Sequence, residues 1–209
     1  MKKSVLGVAA TLLLGAAIGI GAEQAGAPTP NSEFHGAKAA LYFSPKGGAA
    51  EAVVREIGAA KKRIAVQAYS FTSPPIVNAL KRAHERGVAV YVLLDKSNLT
   101  GKYSGATYLL NARVPVGIDP KHAIAHNKIM IIDDELPSAT VLTGSFNFTK
   151  AAEESNAENL LILRDSPELV ALYLANWRAH AAHSYALQLK AEEKKPDAAP
   201  EKVEAPREE

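Results

Sequence analysis

The chain contains no cysteine, so it can form neither a disulfide bond nor a metal site with thiolate ligands. It also shows no group of histidine and acidic residues at the spacing typical of metal ligands, and we therefore predict no metal site and no cofactor. The length of 209 residues favours a single domain.

The N-terminus has the layout of a secretory signal peptide covering residues 1–22. Two lysines follow Met1, and residues 5–20 form an apolar run rich in glycine and alanine. We predict cleavage after Ala22, with Ala27 as the alternative, and a periplasmic or secreted protein without stable membrane insertion. An uncleaved anchor is the other interpretation, because the run approaches the length that spans a bilayer.

The remaining chain divides by composition. Residues 23–36 are small and polar, as in a linker, and residues 37–188 carry the apolar periodicity of a folded domain. Residues 189–209 lack an apolar pattern and are predicted to be a disordered charged tail. Residues 31–190 contain 18 basic and 14 acidic residues, a net charge of +4, which suits a polyanionic partner.

Short β-branched runs alternate with helical patterns along the domain. This order predicts an α/β sandwich, with a mixed sheet between helical layers. Ser73 and Ser166 each precede a proline and are predicted to cap helices. The predicted strands are 41–44, 63–71, 88–94, 114–118, 125–132, 141–143 and 158–164.

One stretch, residues 126–147, combines reactive side chains with a strand pattern. Side chains alternate along a strand, so His126 and Lys128 are expected on one face and Asp133 on the other. A hairpin with residues 141–144 would bring a hydroxyl and an amide close to them. An imidazole, an ammonium group and neutral donors suit an anion that is held and attacked, such as a phosphodiester.

The same stretch resembles the phospholipase D superfamily, and most closely its small bacterial nuclease branch. The resemblance covers roughly residues 40–180. Ten residues separate the motif aspartate from the Gly-Ser pair, where the family has about six, and the extra residues around 135–138 fit a longer hairpin loop. The residues that match the HxKxxxxD motif and its GSxxN-like continuation are His126, Lys128, Asp133, Gly144, Ser145 and Asn147.

The resemblance implies an α/β/α sandwich that hydrolyses phosphodiesters without a metal. It implies catalytic roles for the following residues: His126, Lys128, Ser145, Asn147 and Glu158. Glu158 would accept a hydrogen bond from the far ring nitrogen of His126 and so fix its tautomer. Asp133 and Gly144 are interpreted as structural members of the motif.

The chain has only one copy of this motif, although longer members of the superfamily carry two. Hydrolysis through histidine needs one imidazole to attack phosphorus and another to protonate the leaving oxygen. A twofold homodimer that pairs two copies of His126 supplies both, with a phosphohistidine intermediate.

The leading functional prediction is an exported endonuclease that cuts DNA or RNA without strong sequence preference. A phospholipase D is the alternative, and it would need an exposed apolar lip that the sequence does not indicate. A polyanion-binding protein without turnover is the third possibility. His122, His180 and His183 are interpreted as ordinary loop or helix residues, and Tyr69 as either a cleft or a core residue.

Overall fold

The computed structural model describes residues 37–101 and 104–188. The predicted signal peptide at 1–22, the predicted linker at 23–36 and the predicted charged tail at 189–209 lie outside the described residues, as do residues 102 and 103. The boundaries of these segments therefore stay predictions.

A single mixed sheet forms the centre of the described chain. Its strand order is β1-β7-β6-β5-β2-β3-β4-β8, and only the β2–β3 and β3–β4 pairs are parallel. The strands are β1 Lys38–Ser44, β2 Arg63–Ala68, β3 Ala89–Asp95, β4 Val116–Asp119, β5 Lys128–Ile132, β6 Thr140–Gly144, β7 Glu158–Arg164 and β8 Tyr185–Ala186.

Helices cover both faces of this sheet. One face packs against helices α1 to α4, and the other packs against α5. The described helices are α1 Ala49–Ala59, α2 Pro74–Glu85, α3 Ala106–Asn111, α4 Lys150–Glu154 and α5 Pro167–Ala181. The predicted α/β/α sandwich is thus confirmed.

The apolar runs in the central strands reflect this double coverage. Along β5, Met130 points into the core shared with α1 and α2, whereas Ile131 packs with Val170 of α5. All five residues of β5 are buried, as expected for a strand covered on both faces. The alternation assumed for the motif strand therefore holds within β5.

Some predicted boundaries differ from the structure. The motif strand begins at Lys128, not at residue 125, so His126 lies in the irregular segment before it. Ser73 and Ser166 do occupy N-cap positions, but neither side chain makes a capping hydrogen bond. Both helices still begin with proline, whose fixed φ suits a first turn. The short elements α4 and β8 were not predicted from the apolar pattern.

The longest helix in the described part of the chain, α5, has 15 residues. None of the helices in that part combines the length and the apolar character needed to cross a bilayer.

Candidate active site

Both halves of the motif meet at one edge of the sheet. Strand β5 begins there with Lys128, and its antiparallel neighbour β6 ends there with Gly144. Strand β7 then begins at the same edge with Glu158, paired antiparallel to β6. The hairpin and its neighbour therefore gather residues that lie up to 30 positions apart in the sequence.

His126 stands at this edge with its ring exposed. One hydrogen bond continues the β2–β5 pairing past the strand end, because the backbone N–H of Tyr69 donates to the carbonyl of Asn127 over 2.9 Å. The ring of Tyr69 packs against the His126 imidazole, with the ring centres 4.6 Å apart. Among the described residues, no group hydrogen-bonds to either ring nitrogen of His126. The imidazole is thus positioned by packing while its nitrogens stay available.

Lys128 places a buried cation beside this imidazole. Its side chain is 7% exposed, and its Nζ donates to the backbone carbonyl of His126 over 2.7 Å. The ammonium also lies 5.3 Å from the centre of the Tyr69 ring, within the range of a cation–π interaction. An ammonium has three N–H donors, and the described residues accept only one of them. Two donors therefore remain for an anion.

The turn after β6 requires a glycine at its first position. Gly144 has φ +140°, and a Cβ atom there would lie 2.2 Å from the carbonyl oxygen of Asn159. That oxygen accepts hydrogen bonds from the backbone N–H groups of Ser145 and Phe146, both over 3.1 Å. The Ser145 hydroxyl in turn accepts from the Asn159 N–H over 3.0 Å. The turn is therefore fastened to β7, and this explains why the motif begins with Gly-Ser.

Asn147 sits between two anchoring aromatic residues. Phe146 and Phe148 are both about 1% exposed, and Phe148 packs edge-to-face on Phe71 with ring centres 6.2 Å apart. The side-chain Oδ1 of Asn147 is buried without a hydrogen-bond partner among the described residues. A buried polar atom without a partner is costly in a folded protein. Because Oδ1 only accepts hydrogen bonds, contact with phosphate oxygens would fall to the side-chain N–H group of Asn147.

Glu158 does not make the contact predicted for it. Its carboxylate accepts a hydrogen bond from the side chain of Asn156 over 3.2 Å, and no hydrogen bond joins it to His126 in the described part of the chain. Glu158 does act on Lys128. Burial lowers the pKa of Lys128 below its ordinary value, and the nearby Glu158 carboxylate offsets part of this effect.

Two cavities open at the site. One of about 410 Å³ is lined by His126 and Lys128, and by the α5 residues Leu172, Tyr173 and Asn176. No local pattern in the sequence indicates these α5 residues, because helix α5 reaches the site only through the fold. The other cavity, of about 600 Å³, is lined by Asn147 together with the loop after β2 and helix α4.

The geometry fits a known family. The model of the family described as cardiolipin synthase, PLD-like domain, matches residues 53–180, which is more than half of the chain. The chain belongs to the phospholipase D superfamily. One similar protein is the phospholipase D of Rickettsia felis, which is 44% identical over 146 residues, or 70% of each chain. Another is the mouse mitochondrial cardiolipin hydrolase, which is 32% identical over 122 residues, or 58% of this chain and 53% of the hydrolase.

Solved structures agree with this membership. The phospholipase D family member Nuc from Salmonella typhimurium superposes with a TM-score of 0.69 and 36% identity, over 73% of this chain and 99% of Nuc. NucT from Helicobacter pylori gives 0.64 and 27%, over 72% of this chain and 99% of NucT. The predicted resemblance to the nuclease branch is confirmed, and the chain is a phosphodiesterase of the phospholipase D superfamily.

The motif aspartate is at the opposite end of β5 from His126. The carboxylate of Asp133 is buried and accepts hydrogen bonds from the backbone N–H groups of Lys61, Lys62 and Arg63 over 2.7–3.1 Å. The residues that lengthen the family spacing lie in the loop directly after it, between β5 and β6. Their insertion is therefore remote from the edge at which His126 lies.

We expect Asp133→Asn to lower the free energy of unfolding by about 1–3 kcal/mol, since an amide offers one acceptor oxygen instead of two. Denaturant unfolding measures this, and kcat of the folded enzyme should not change. Asp165→Asn is a matched control, because both aspartates have a left-handed φ, of 54° at Asp133 and 60° at Asp165, but Asp165 is exposed. Equal effects of the two substitutions on stability would contradict the structural role.

The lowered pKa of Lys128 predicts the alkaline limb of the pH profile. The form of Lys128 that binds an anion is the protonated one, and it is lost as pH rises through the pKa of the folded enzyme. The decline of kcat/KM with rising pH should therefore begin at a pH lower than 10.5, the ordinary pKa of lysine. In Lys128→Arg the guanidinium stays protonated, so the limb should disappear even where the rate is lower. An unchanged limb in this variant would assign it to another group.

One prediction about this edge is wrong. The sequence shows no cluster of histidine and acidic residues at ligand spacing, but the structure brings four such side chains together beyond β3, near the same edge. Two come from the end of β4 and its following loop, and two from the end of α5, about 60 positions later. The residues are Asp119, His122, His180 and His183.

Proposed function

We propose that this protein is an exported, metal-independent endonuclease that hydrolyses DNA and RNA without strong sequence preference. The observation that carries the proposal is the exposed, unpaired imidazole of His126 beside the two available N–H donors of Lys128. A phosphodiester offers an electrophilic phosphorus to the first and anionic oxygens to the second. Export rests on the signal-peptide pattern of residues 1–22.

The reaction needs two imidazoles in one site, and the chain supplies one. Two subunits related by a twofold axis would place their copies of His126 on opposite sides of the phosphate. One His126 attacks phosphorus, so that a P–N bond forms and the P–O bond to the leaving group breaks. The second His126 gives its proton to the departing oxygen.

Hydrolysis of the intermediate reverses these roles. The second His126, now neutral, takes a proton from water, and the resulting hydroxide attacks phosphorus and breaks the P–N bond. The free phosphate end leaves, and both imidazoles return to their starting states. No metal ion or external base is consumed in this sequence.

The other motif residues would stabilise the charge that develops on the phosphate. Lys128 donates to a non-bridging oxygen, and Asn147 adds an amide donor from the turn after β6. The Ser145 hydroxyl is fixed against β7 and can donate its own proton. Glu158 lies close enough to Lys128 to affect its pKa, and it would balance the positive charges of the site. It would also accept a hydrogen bond from His126 once a second subunit covers the site.

Nucleic acid is favoured as the substrate by two observations. The folded part of the chain is basic, with a net charge of +4 over residues 31–190. The chain also matches the phospholipase D family member Nuc over 99% of the length of Nuc. Each phosphate that a basic residue contacts steepens the fall of affinity with salt, so binding should weaken strongly as the salt concentration rises.

Phospholipid is the second candidate, and the structure gives it one specific support. The sequence does not indicate an apolar lip, but two apolar residues beside the site are exposed: Ile124, two positions before His126, is 57% exposed, and Leu172, in the lining of its cavity, is 37% exposed. The relatives from Rickettsia also carry the name phospholipase D. Such residues could contact acyl chains, or a second subunit.

A substrate panel in excess EDTA tests the proposal. Supercoiled plasmid, single-stranded DNA, RNA and vesicles of phosphatidylcholine or cardiolipin are each incubated with the enzyme at 25 °C, and with His126→Ala as the control for contaminating nucleases. We expect cleavage of the nucleic acids, and a strong fall in rate with added salt. Salt-insensitive hydrolysis of vesicles with no cleavage of nucleic acid would establish the phospholipase instead.

A further inference from the structure

A compact cluster of ligand-type side chains lies at the end of β4. Asp119 is the last residue of β4 and His122 lies in the loop after it, while His180 belongs to the last turn of α5 and His183 follows that helix. Each side chain offers one ligand atom, and these atoms all lie within 4.8 Å of one another. These four residues are called the histidine–aspartate cluster below.

The carboxylate is the centre of the cluster. Its Oδ2 lies 2.6 Å from Nδ1 of His180 and 3.0 Å from Nδ1 of His122. The carboxylate is 2% exposed, and the backbone N–H of Lys121 donates to its Oδ1 over 3.0 Å. The cluster is therefore built around one buried, hydrogen-bonded carboxylate.

Hydrogen bonding to the carboxylate does not account for the third histidine. Nε2 of His183 lies 3.2 Å from Oδ1 of Asp119, within the distance of an ion pair, but this buried atom makes no hydrogen bond of good geometry to any described residue. The three imidazole rings are packed with centres 4.6–5.4 Å apart. Three imidazoles grouped around one carboxylate, one of them with a nitrogen that no described residue pairs, form a donor set suited to a transition metal cation.

We propose that the histidine–aspartate cluster binds one divalent transition metal ion, with zinc as the best match. Three imidazole nitrogens and one carboxylate oxygen make a closed four-coordinate set, as in structural zinc sites. Ligand bonds of about 2.0–2.2 Å place tetrahedral ligand atoms roughly 3.3 Å apart, whereas the cluster has 2.6–3.2 Å between Asp119 and the imidazole nitrogens and at most 4.8 Å among all four ligand atoms. Magnesium and calcium are poorer matches, because they prefer oxygen ligands.

The site would stabilise the fold without entering the proposed reaction. Strand β4 is three positions from β5 in the sheet, which is roughly 14 Å at the usual strand spacing. The ion would link the end of α5 to the segment 120–125 that leads directly to His126. Asp95 already holds this segment, because its carboxylate accepts from the backbone N–H of Ala125 over 2.8 Å.

Zinc titration of the untagged full-length chain tests the proposal. After treatment with a chelator, the protein is titrated with zinc chloride by calorimetry, and its Tm is followed with and without the metal. We expect one zinc ion per chain and a Tm higher by roughly 5–10 °C at a hundredfold excess over Kd. Cobalt at the same site should give the visible absorption of a tetrahedral complex.

Substitutions locate the ion. His183→Asn and His122→Asn should each weaken zinc binding at least tenfold and reduce the rise in Tm, whereas His84→Asn in α2 and His126→Asn should bind zinc like the wild type. No stoichiometric binding by the wild-type chain would overturn the proposal, and so would binding that only His126→Asn removes. Circular dichroism checks that each variant is folded.

Discussion

Replacing His126 with alanine is expected to lower kcat on the preferred substrate by at least about 10⁴-fold, because the nucleophile and its counterpart acid are lost together. The side chain is exposed and its ring nitrogens bond to none of the described residues, so the change in stability should stay within about 0.5 kcal/mol. Single-turnover kinetics and thermal unfolding measure the two quantities separately.

His84→Ala serves as the matched control, since His84 lies in the last turn of α2, outside the motif. It should keep the wild-type rate. Acid-quenched wild-type enzyme should also yield a phosphoprotein that is stable to base and labile to acid, and His126→Ala should yield none. A variant that still turns over within tenfold of the wild type would remove His126 from the mechanism.

Gly144→Ala is expected to reduce kcat/KM by at least about 100-fold, since displacing positioned groups by 1 Å can cost this much. The added methyl group would lie 2.2 Å from the carbonyl oxygen of Asn159, at a φ of +140° that side chains rarely adopt. The turn must therefore move away from β7 and take Ser145 and Asn147 with it. Both kcat/KM, measured by steady-state kinetics, and the Tm should fall.

Gly58→Ala provides the comparison for this variant. Gly58 lies inside α1, and a Cβ atom there would meet nothing within 4 Å. Alanine is the better helix former, so this change should leave activity unaltered and slightly raise stability. If Gly144→Ala behaved like Gly58→Ala, the tight turn would not be what positions the site.

Local patterns in the sequence were sufficient to predict the hairpin that carries the motif. The alternation of Lys128, Met130 and Ile132 is a property of a strand, and the Gly-Ser pair after the next apolar run marks its end. Antiparallel pairing of the two strands follows from their short separation. For this reason, the motif residues recognised in the sequence are those that the hairpin brings together in the structure.

Contacts formed by distant segments were not predictable in the same way. The apolar pattern predicts a strand that begins at residue 125, but regular strand pairing begins at Lys128. The prediction therefore placed His126 inside β5, whereas it lies just before this strand. Asp119 and His180 are 61 positions apart, and only the packing of α5 on the sheet brings them within 2.6 Å. The predicted hydrogen bond between His126 and Glu158 was likewise inferred from the family resemblance, and the described residues of the single chain do not form it.

Mixed dimers test the central claim that two subunits share one reaction centre. Wild-type and His126→Ala chains are unfolded together, refolded at different ratios and assayed on plasmid in EDTA. If both copies of His126 are needed, activity follows the square of the wild-type fraction, and an equal mixture retains about one quarter of full activity. Activity proportional to the wild-type fraction, or full activity from a monomer, would contradict the account.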